Sequence, residues 1–156
     1  MSTENGLKSR IQADINDAVR AGDDLLKSTL RMALAAIMNA EVAGAEAVVL
    51  SDDQIINLLR SEVKKRAESA DIYEQAGRAE SAATERKEMV IIEKYLPAAM
   101  DEAALAGIVA EEVANAAANG QTGPKAMGGV IKAVKERVGA SADGSAIAAA
   151  VKSALN

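Results

Sequence analysis

Basic side chains cluster around a pair of glycines in the last quarter of the sequence. Residues 120–156 hold five basic and two acidic side chains, a net charge of +3 within a chain whose formal net charge is −5. Lysine and arginine beside a helix start favour phosphate binding, because a helix N-terminus offers free N–H groups and a favourable dipole. The pattern therefore predicts a phosphate-contacting surface in this segment.

Two small-residue motifs complete this candidate site. Gly128 and Gly129 carry no Cβ, so they permit either the close approach of a phosphate or tight packing of another helix, and both interpretations stay open. Asp143 and Gly144 mark the start of the last predicted helix. The candidate RNA-binding set is Lys125, Gly128, Gly129, Lys132, Lys135, Arg137, Asp143 and Gly144.

A second basic run lies near the middle of the chain. It could contact phosphates, but two of its basic residues have an acidic residue four positions away, in Lys64–Glu68 and Glu62–Arg66, and that spacing favours ordinary support of an exposed helix face. A tyrosine further along is interpreted as a core residue or a residue that packs in a helical hairpin. The secondary candidates are Lys64, Lys65, Arg66, Tyr73 and Arg78.

Several kinds of chemistry are excluded by composition. The chain has no Cys and no His, so disulfides, thiolate or imidazole metal sites, and Ser-His-Asp or Cys-His catalysis are impossible. It has two tyrosines and no other aromatic residue, so base stacking is a poor prospect. The acidic pairs Asp23–Asp24, Asp52–Asp53 and Asp101–Glu102 stand at predicted helix starts, where acids act as caps. We therefore predict no catalytic residues, no metal and no cofactor.

The elements that must position these residues are predicted to be helices throughout. Alanine supplies 35 of 156 residues and proline only two, and alanine is the best helix former. Apolar residues recur at helical spacing, with Val19 and Met38 among the predicted inward positions. The fold class is all-α, with seven helices near residues 3–20, 25–43, 51–76, 79–95, 101–119, 125–138 and 143–155.

Pro97 divides the predicted helices into two groups, because the residue before a proline avoids the helical region. Residues 1–97 form a larger N-terminal helical subdomain with a long helical hairpin. Residues 98–156 form a small three-helix C-terminal subdomain, which is rich in alanine and expected to be the less stable part. No apolar run is long enough to span a membrane and no secretory leader is visible, so we expect a cytoplasmic location and no membrane partner.

An ordered set of short motifs resembles the GatB/YqeY-like family, and specifically its stand-alone YqeY-type members. The motifs are Arg31-Met32, Ala76-Gly77-Arg78, Tyr95-Leu96-Pro97, Met127-Gly128 and Ala142-Asp143-Gly144. The resemblance covers about residues 4–155. It departs from the family pattern where an acidic residue and a lysine usually flank Met-Gly, because this chain has Ala126 and Gly129 there.

The resemblance implies an all-α fold with a larger N-terminal part and a three-helix C-terminal part. A similar domain forms the tail of the B subunit of the tRNA-dependent amidotransferase, where it helps to hold tRNA without an active site of its own. The first hypothesis is therefore an accessory protein that binds tRNA or associates with an amidotransferase. The alternatives are a helical protein-interaction module that docks through its hairpin, and a carbon–nitrogen ligase with glutamine as amide donor that is active only with partner subunits.

Overall fold

The computed structural model describes residues 6–156, and within that range every regular element is helical. The α-helices are α1 (Leu7–Ala21), α2 (Asp24–Glu41), α3 (Asp52–Gln75), α4 (Ala79–Glu93), α5 (Glu102–Ala118), α6 (Met127–Val138) and α7 (Gly144–Leu155). Two short 3₁₀ helices, Gly123–Ala126 and Gly139–Ser141, flank α6. The all-α prediction is confirmed. Its first helix was expected from Thr3, but residues 3–5 lie outside the described range and Gly6 is extended.

The chain divides into two compact units, Met1–Leu96 and Pro97–Asn156. In the first unit α1 packs against α2, and α3 packs along α4. These helices bury a core of branched aliphatic side chains together with one tyrosine. The core consists of Ile11, Ile15, Leu30, Ala33, Ile37, Ile55, Leu59, Ile92 and Tyr95.

Two side chains predicted to face inward are exposed. Val19 and Met38 expose about half of their surface, whereas Ala18 and Ile37 are buried beside them. Each four-residue step along a helix turns about 400°, so an i+4 series drifts by roughly 40° per step. By Val19 the series that begins at Leu7 has therefore rotated out of the core.

Helix ends in the first unit follow local sequence signals. Gly22 ends α1 in the left-handed conformation (φ 69°), and the Asp23 side chain accepts a hydrogen bond from the Leu26 N–H as the cap of α2. Ser51 and Gln54 form the capping box of α3, with bonds of 3.2 and 2.9 Å. The interpretation of these acids as caps is thus confirmed for Asp23.

The helical hairpin is formed by α3 and α4. Its turn contains Gly77 in the left-handed conformation (φ 74°), and the Arg78 N–H donates to the Tyr73 carbonyl across the turn at 2.8 Å. Ala70 and Ala82 are buried along the hairpin. Their small side chains allow the two helices to pack closely, and ion pairs such as Arg66–Glu88 also join the two helices.

The second unit packs α5, α6 and α7 against one another. Its core is built mainly from valine and alanine: Leu105, Val109, Ala126, Val130, Val134, Val138, Ala142, Ile147 and Val151. The sixth helix was predicted from Lys125, but α6 begins at Met127. Gly123 is left-handed (φ 66°) and Pro124 follows it, so this entry turn forms a tighter 3₁₀ helix instead.

Candidate functional site

The exposed side of α6 carries the first candidate set. Val130, Val134 and Val138 turn one face of the helix into the core of the second unit. Gly128 and Lys132, four residues apart, lie on the opposite, exposed side. Lys135 follows Lys132 by three residues and is also exposed. Residues three and four apart are neighbours on a helix surface, so these positions form a continuous strip.

Lys135 connects this strip with the start of α7. Its Nζ lies 3.9 Å from the point where a Cβ on Gly144 would stand. Gly144 is the first residue of α7, and the Asp143 side chain caps that helix by accepting from the Ser145 N–H at 3.1 Å. The structure therefore brings Lys135 together with the Asp143–Gly144 motif and gives Asp143 a structural role as the cap.

The charges of three lysines are not offset by ion pairs. Lys125, Lys132 and Lys135 are all exposed, and none of them makes an ion pair with any residue between 6 and 156. Lys125 lies on the 3₁₀ turn before α6, so α-helical spacing does not place it on one face with Lys132. The exposed side of α6 that carries Lys132 and Lys135 is called the lysine strip below, and Lys125 stands on the turn that precedes it.

Arg137 is separated from the lysine strip by its ion pairs. Its guanidinium contacts Glu111 Oε2 at 2.7 Å and Glu112 Oε1 at 3.0 Å, both on α5. Hydrogen bonds to Glu111 and then Glu112 raise the pKa of Arg137 above its ordinary value. This candidate therefore holds α6 to α5, and its positive charge is offset by two carboxylates.

The glycines at the start of α6 are open to solvent. A Cβ on Gly128 would meet nothing within 4 Å, and one on Gly129 would meet only Gln121 Oε1 at 3.6 Å. No described helix packs against them, so tight helix packing does not account for this pair within the described residues. The strip beside Lys132 is consequently free of bulky side chains.

In the second candidate set, Arg66 is a buried clamp. It is only 7% exposed. Its Nε donates to Glu88 Oε2 at 3.0 Å and its Nη1 donates to Glu62 Oε2 at 2.9 Å. Glu88 belongs to α4, so Arg66 joins the two helices of the hairpin. The predicted Glu62–Arg66 pair is confirmed, but the prediction that this helix face is exposed is wrong at Arg66, because α4 packs over it and supplies Glu88.

The neighbouring lysines remain at the surface. Lys65 contacts Glu62 at 3.3 Å. Lys64 is exposed, and the predicted Lys64–Glu68 pair is not formed in the described structure. The Arg78 guanidinium lies 5.3 Å from the centre of the Tyr73 ring at the hairpin tip, where the two residues pack against each other in a cation–π arrangement.

One polar cluster was missed as a site by sequence reasoning. Tyr95 is 8% exposed; its hydroxyl donates a hydrogen bond to Asp14, and the Arg10 guanidinium lies 4.8 Å from its ring centre. Burial, reinforced by the bond to Asp14, raises the pKa of Tyr95 well above its ordinary value. The cluster ties α1 to the end of α4. A lone aromatic in an aliphatic core was its only sequence signal.

A second missed residue is the buried carboxylate Glu41. It is 8% exposed, pairs with Lys8 Nζ at 2.5 Å and accepts from the Leu50 N–H at 3.3 Å. The hydrogen bond from Lys8 lowers the pKa of Glu41 below its ordinary value. Glu41 thereby fixes the segment that leads from α2 into α3. Its partner lies 33 positions away, so no local pattern reveals it.

Two further kinds of site are absent from residues 6–156. No group of three or more carboxylates in this range is arranged to hold a metal ion. No helix in this range is long and apolar enough to cross a membrane.

The fold and the site define a two-unit, all-α protein with a helical hairpin in one unit and an exposed lysine strip in the other. Residues 8–155 match the family model described as Yqey-like protein. The chain therefore belongs to the YqeY-like family, as the resemblance predicted.

One curated relative matches part of the chain. The chain is similar to "Altered inheritance of mitochondria protein 41, mitochondrial" of Clavispora lusitaniae, with 34% identity over 99 residues. The matched stretch covers 62% of this chain and 56% of the relative. The chain thus spans little more than half the length of that protein.

Proposed function

We propose that this protein binds tRNA through the lysine strip of its second unit and acts as an accessory factor. The observation that carries the proposal is the geometry of Lys132 and Lys135. They are exposed, one turn apart on α6 and free of ion pairs within the described residues, and the Lys135 Nζ lies beside Gly144 at the start of α7. Membership of the YqeY-like family supports it, because the chain resembles the tail domain that holds tRNA in the amidotransferase B subunit.

The chemistry of such a site is phosphate neutralisation. Lysine acts as a mobile point charge with three donors, and the glycines beside Lys132 leave room for a backbone to approach. Neither tyrosine belongs to the second unit, so recognition by stacking on unpaired bases is absent there. Binding should therefore follow shape and charge, with little dependence on sequence.

The accessory role includes association with a tRNA-dependent amidotransferase, whose partner subunits would supply the catalysis. Purified protein alone should release no ammonia from glutamine, because the sequence offers neither a cysteine nor an activated serine nucleophile. Glutaminase turnover by the purified chain that a point substitution in the chain abolishes would contradict the proposal that partner subunits supply the catalysis. We expect the protein to act in the cytoplasm.

A charge-reversal experiment tests the lysine strip. The double variant Lys132→Glu, Lys135→Glu should lose the tRNA gel shift while keeping its helical circular dichroism. The matched control reverses Lys64 and Lys65, two adjacent exposed lysines of α3, and should bind as the unmodified protein does. If the control abolishes binding and the first variant retains it, α3 is the RNA surface and the proposed site is wrong.

Salt dependence supplies an independent measure. Three phosphate contacts give a slope of log affinity against log salt of roughly −2 to −3. Arg137→Gln should change this slope little, because the arginine charge is already offset by Glu111 and Glu112. A slope near zero would show that binding does not rest on lysine–phosphate contacts.

A further inference from the structure

A shallow apolar groove runs along one side of the hairpin. It has a volume of about 280 Å³. Its base is formed by the small side chains of Ala67 and Ala70 on α3, and its wall by Met89 and Val90 on α4. Val90 leaves 55% of its surface exposed. None of these residues belongs to the lysine strip, so the proposed tRNA binding leaves the groove unexplained.

The rim of the groove is acidic. Asp71, Arg86 and Glu93 line it, and Glu74 joins them through Arg86, which bonds its carboxylate at 2.6 and 3.3 Å. Asp71 lies 3.7 Å from the same guanidinium. Two carboxylates thus flank Arg86 and a third, Glu93, stands apart from it, so these four side chains have a net charge of −2. Glu93 is exposed and makes no ion pair with a described residue.

The helical backbone on both sides of the groove limits which peptide conformations can bind there. The groove lies between two α-helices, whose N–H and C=O groups are bonded within each helix. An extended peptide would find no free backbone edge there and would leave its own polar groups unpaired. A helix satisfies its backbone internally and presents a row of apolar side chains, and methionine adapts readily to such partners.

We propose that this groove docks a basic amphipathic helix of a protein partner. Apolar side chains of that helix contact Ala67, Ala70, Met89 and Val90. Its lysine or arginine side chains face Glu93 and the carboxylates beside Arg86. The charge of the rim distinguishes this occupant from a second copy of the chain or an acidic helix, because like charges facing each other oppose association.

A pair of designed peptides tests the proposal on the full chain. The probe is a fourteen-residue leucine–lysine peptide with leucines at i, i+3, i+4 and i+7, and its counterpart carries glutamate in place of lysine. Fluorescence anisotropy of the labelled peptides should show binding of the lysine peptide only. The Lys132→Glu, Lys135→Glu protein should bind it equally well, which separates this test from that of tRNA binding.

Matched variants locate the contact. Val90→Asn should weaken binding roughly ten-fold, since it removes one aliphatic side chain from the interface. Ile72→Asn is the control, because Ile72 is 65% exposed on the same hairpin but does not line the groove. Glu93→Gln should also weaken binding, whereas Glu68→Gln, an exposed acid of α3 outside the groove, should not.

Four results would overturn the proposal. They are equal binding of both peptides, equal loss from Val90→Asn and Ile72→Asn, no binding of either peptide, and self-association of the chain that Val90→Asn removes. The last result would assign the groove to a second copy.

Discussion

Replacing Arg66 by alanine should destabilise the first unit severely, although its sequence context is that of a surface residue. The Arg66 side chain is 9% exposed, and those of its partners Glu62 and Glu88 are 17% and 14% exposed. Alanine would leave both carboxylates without their shared cation in a site that water reaches poorly. It would also remove the ion pair that joins α3 to α4.

The structure sets the magnitude of this effect. Breaking a buried ion pair by removal of one partner costs about 3–5 kcal/mol. The residual exposure of Glu62 and Glu88 places the loss at the lower end, about 3 kcal/mol. For a unit of this size, 1 kcal/mol shifts the melting temperature by roughly 4–8 °C, so the midpoint should fall by roughly 12–24 °C.

Urea denaturation followed by circular dichroism measures this loss. Lys65→Ala is the matched control, because its side chain is 69% exposed and its contact with Glu62 is 3.3 Å; its effect should stay within about 0.5 kcal/mol. Combining Arg66→Met with Glu62→Gln and Glu88→Gln should restore most of the stability, since no unpaired charge then remains. A loss from Arg66→Ala that equals that of the control would refute the buried-clamp assignment. Loss of tRNA binding without loss of stability would make Arg66 a contact residue instead.

Three further predictions concern the ionisation of Glu41, the buried hydroxyl of Thr29 and the relative stability of the two units. Glu41→Gln should be less stable than the unmodified protein at neutral pH, and the difference in unfolding free energy should shrink below pH 4.5. The folded state lowers the pKa of Glu41, so the ionised carboxylate stabilises the fold at a pH above the pKa of the unfolded chain, and this stabilisation is lost as the pH falls and the carboxylate is protonated. Urea denaturation across this range would show a pH-independent difference if the charge of Glu41 were irrelevant. Thr29→Val should stabilise the protein by about 1 kcal/mol, because the Thr29 hydroxyl is fully buried and has no hydrogen-bond partner among the described residues; a destabilised variant in the same assay would show that the hydroxyl is satisfied. Hydrogen exchange should be faster in residues 101–156 than in the buried positions of α2 and α3, and equal protection would mean that both units unfold together.

The expected difference in exchange rests on the two cores. The fully buried large apolar side chains of the first unit are isoleucine and leucine, whereas those of the second are four valines and Ile147. Each methylene removed from water contributes about 0.8 kcal/mol. The alanine-rich composition therefore predicts a weaker second core, and the buried residues of the structure agree with that composition.

Local signals in the sequence were sufficient for the helices. Alanine content, the Ser51–Gln54 capping box and the left-handed glycines act over four or five residues, and the structure shows the elements that they predict. Errors arose where a fixed i+4 spacing was extended too far, as for Val19. They also arose where Gly123 and Pro124 tightened the first turn before α6.

The roles of the basic residues required the tertiary structure. Arg66 meets Glu88 across 22 positions, and Arg137 meets Glu112 across 25. Neither carboxylate can be assigned from spacing along one helix. Sequence patterns grouped Arg137 with Lys132 and Lys135, and Arg66 with Lys64 and Lys65. In the folded chain each arginine is neutralised by a neighbouring helix, and the lysines beside it stay exposed.

Because the arginines are paired with carboxylates and the lysines remain exposed, a chain of net charge −5 is compatible with a polyanion ligand. At physiological salt the Debye length is about 8 Å, so exposed charges further apart than that are largely screened from one another. A phosphate bound at Lys132, as proposed, would then respond to the charges beside it and not to the net charge of the whole chain. At about 0.01 M salt the Debye length reaches about 30 Å, and the acidic residues of the whole chain oppose the same contact. The salt slope therefore reports the lysine strip above about 0.1 M, and it should flatten at lower salt.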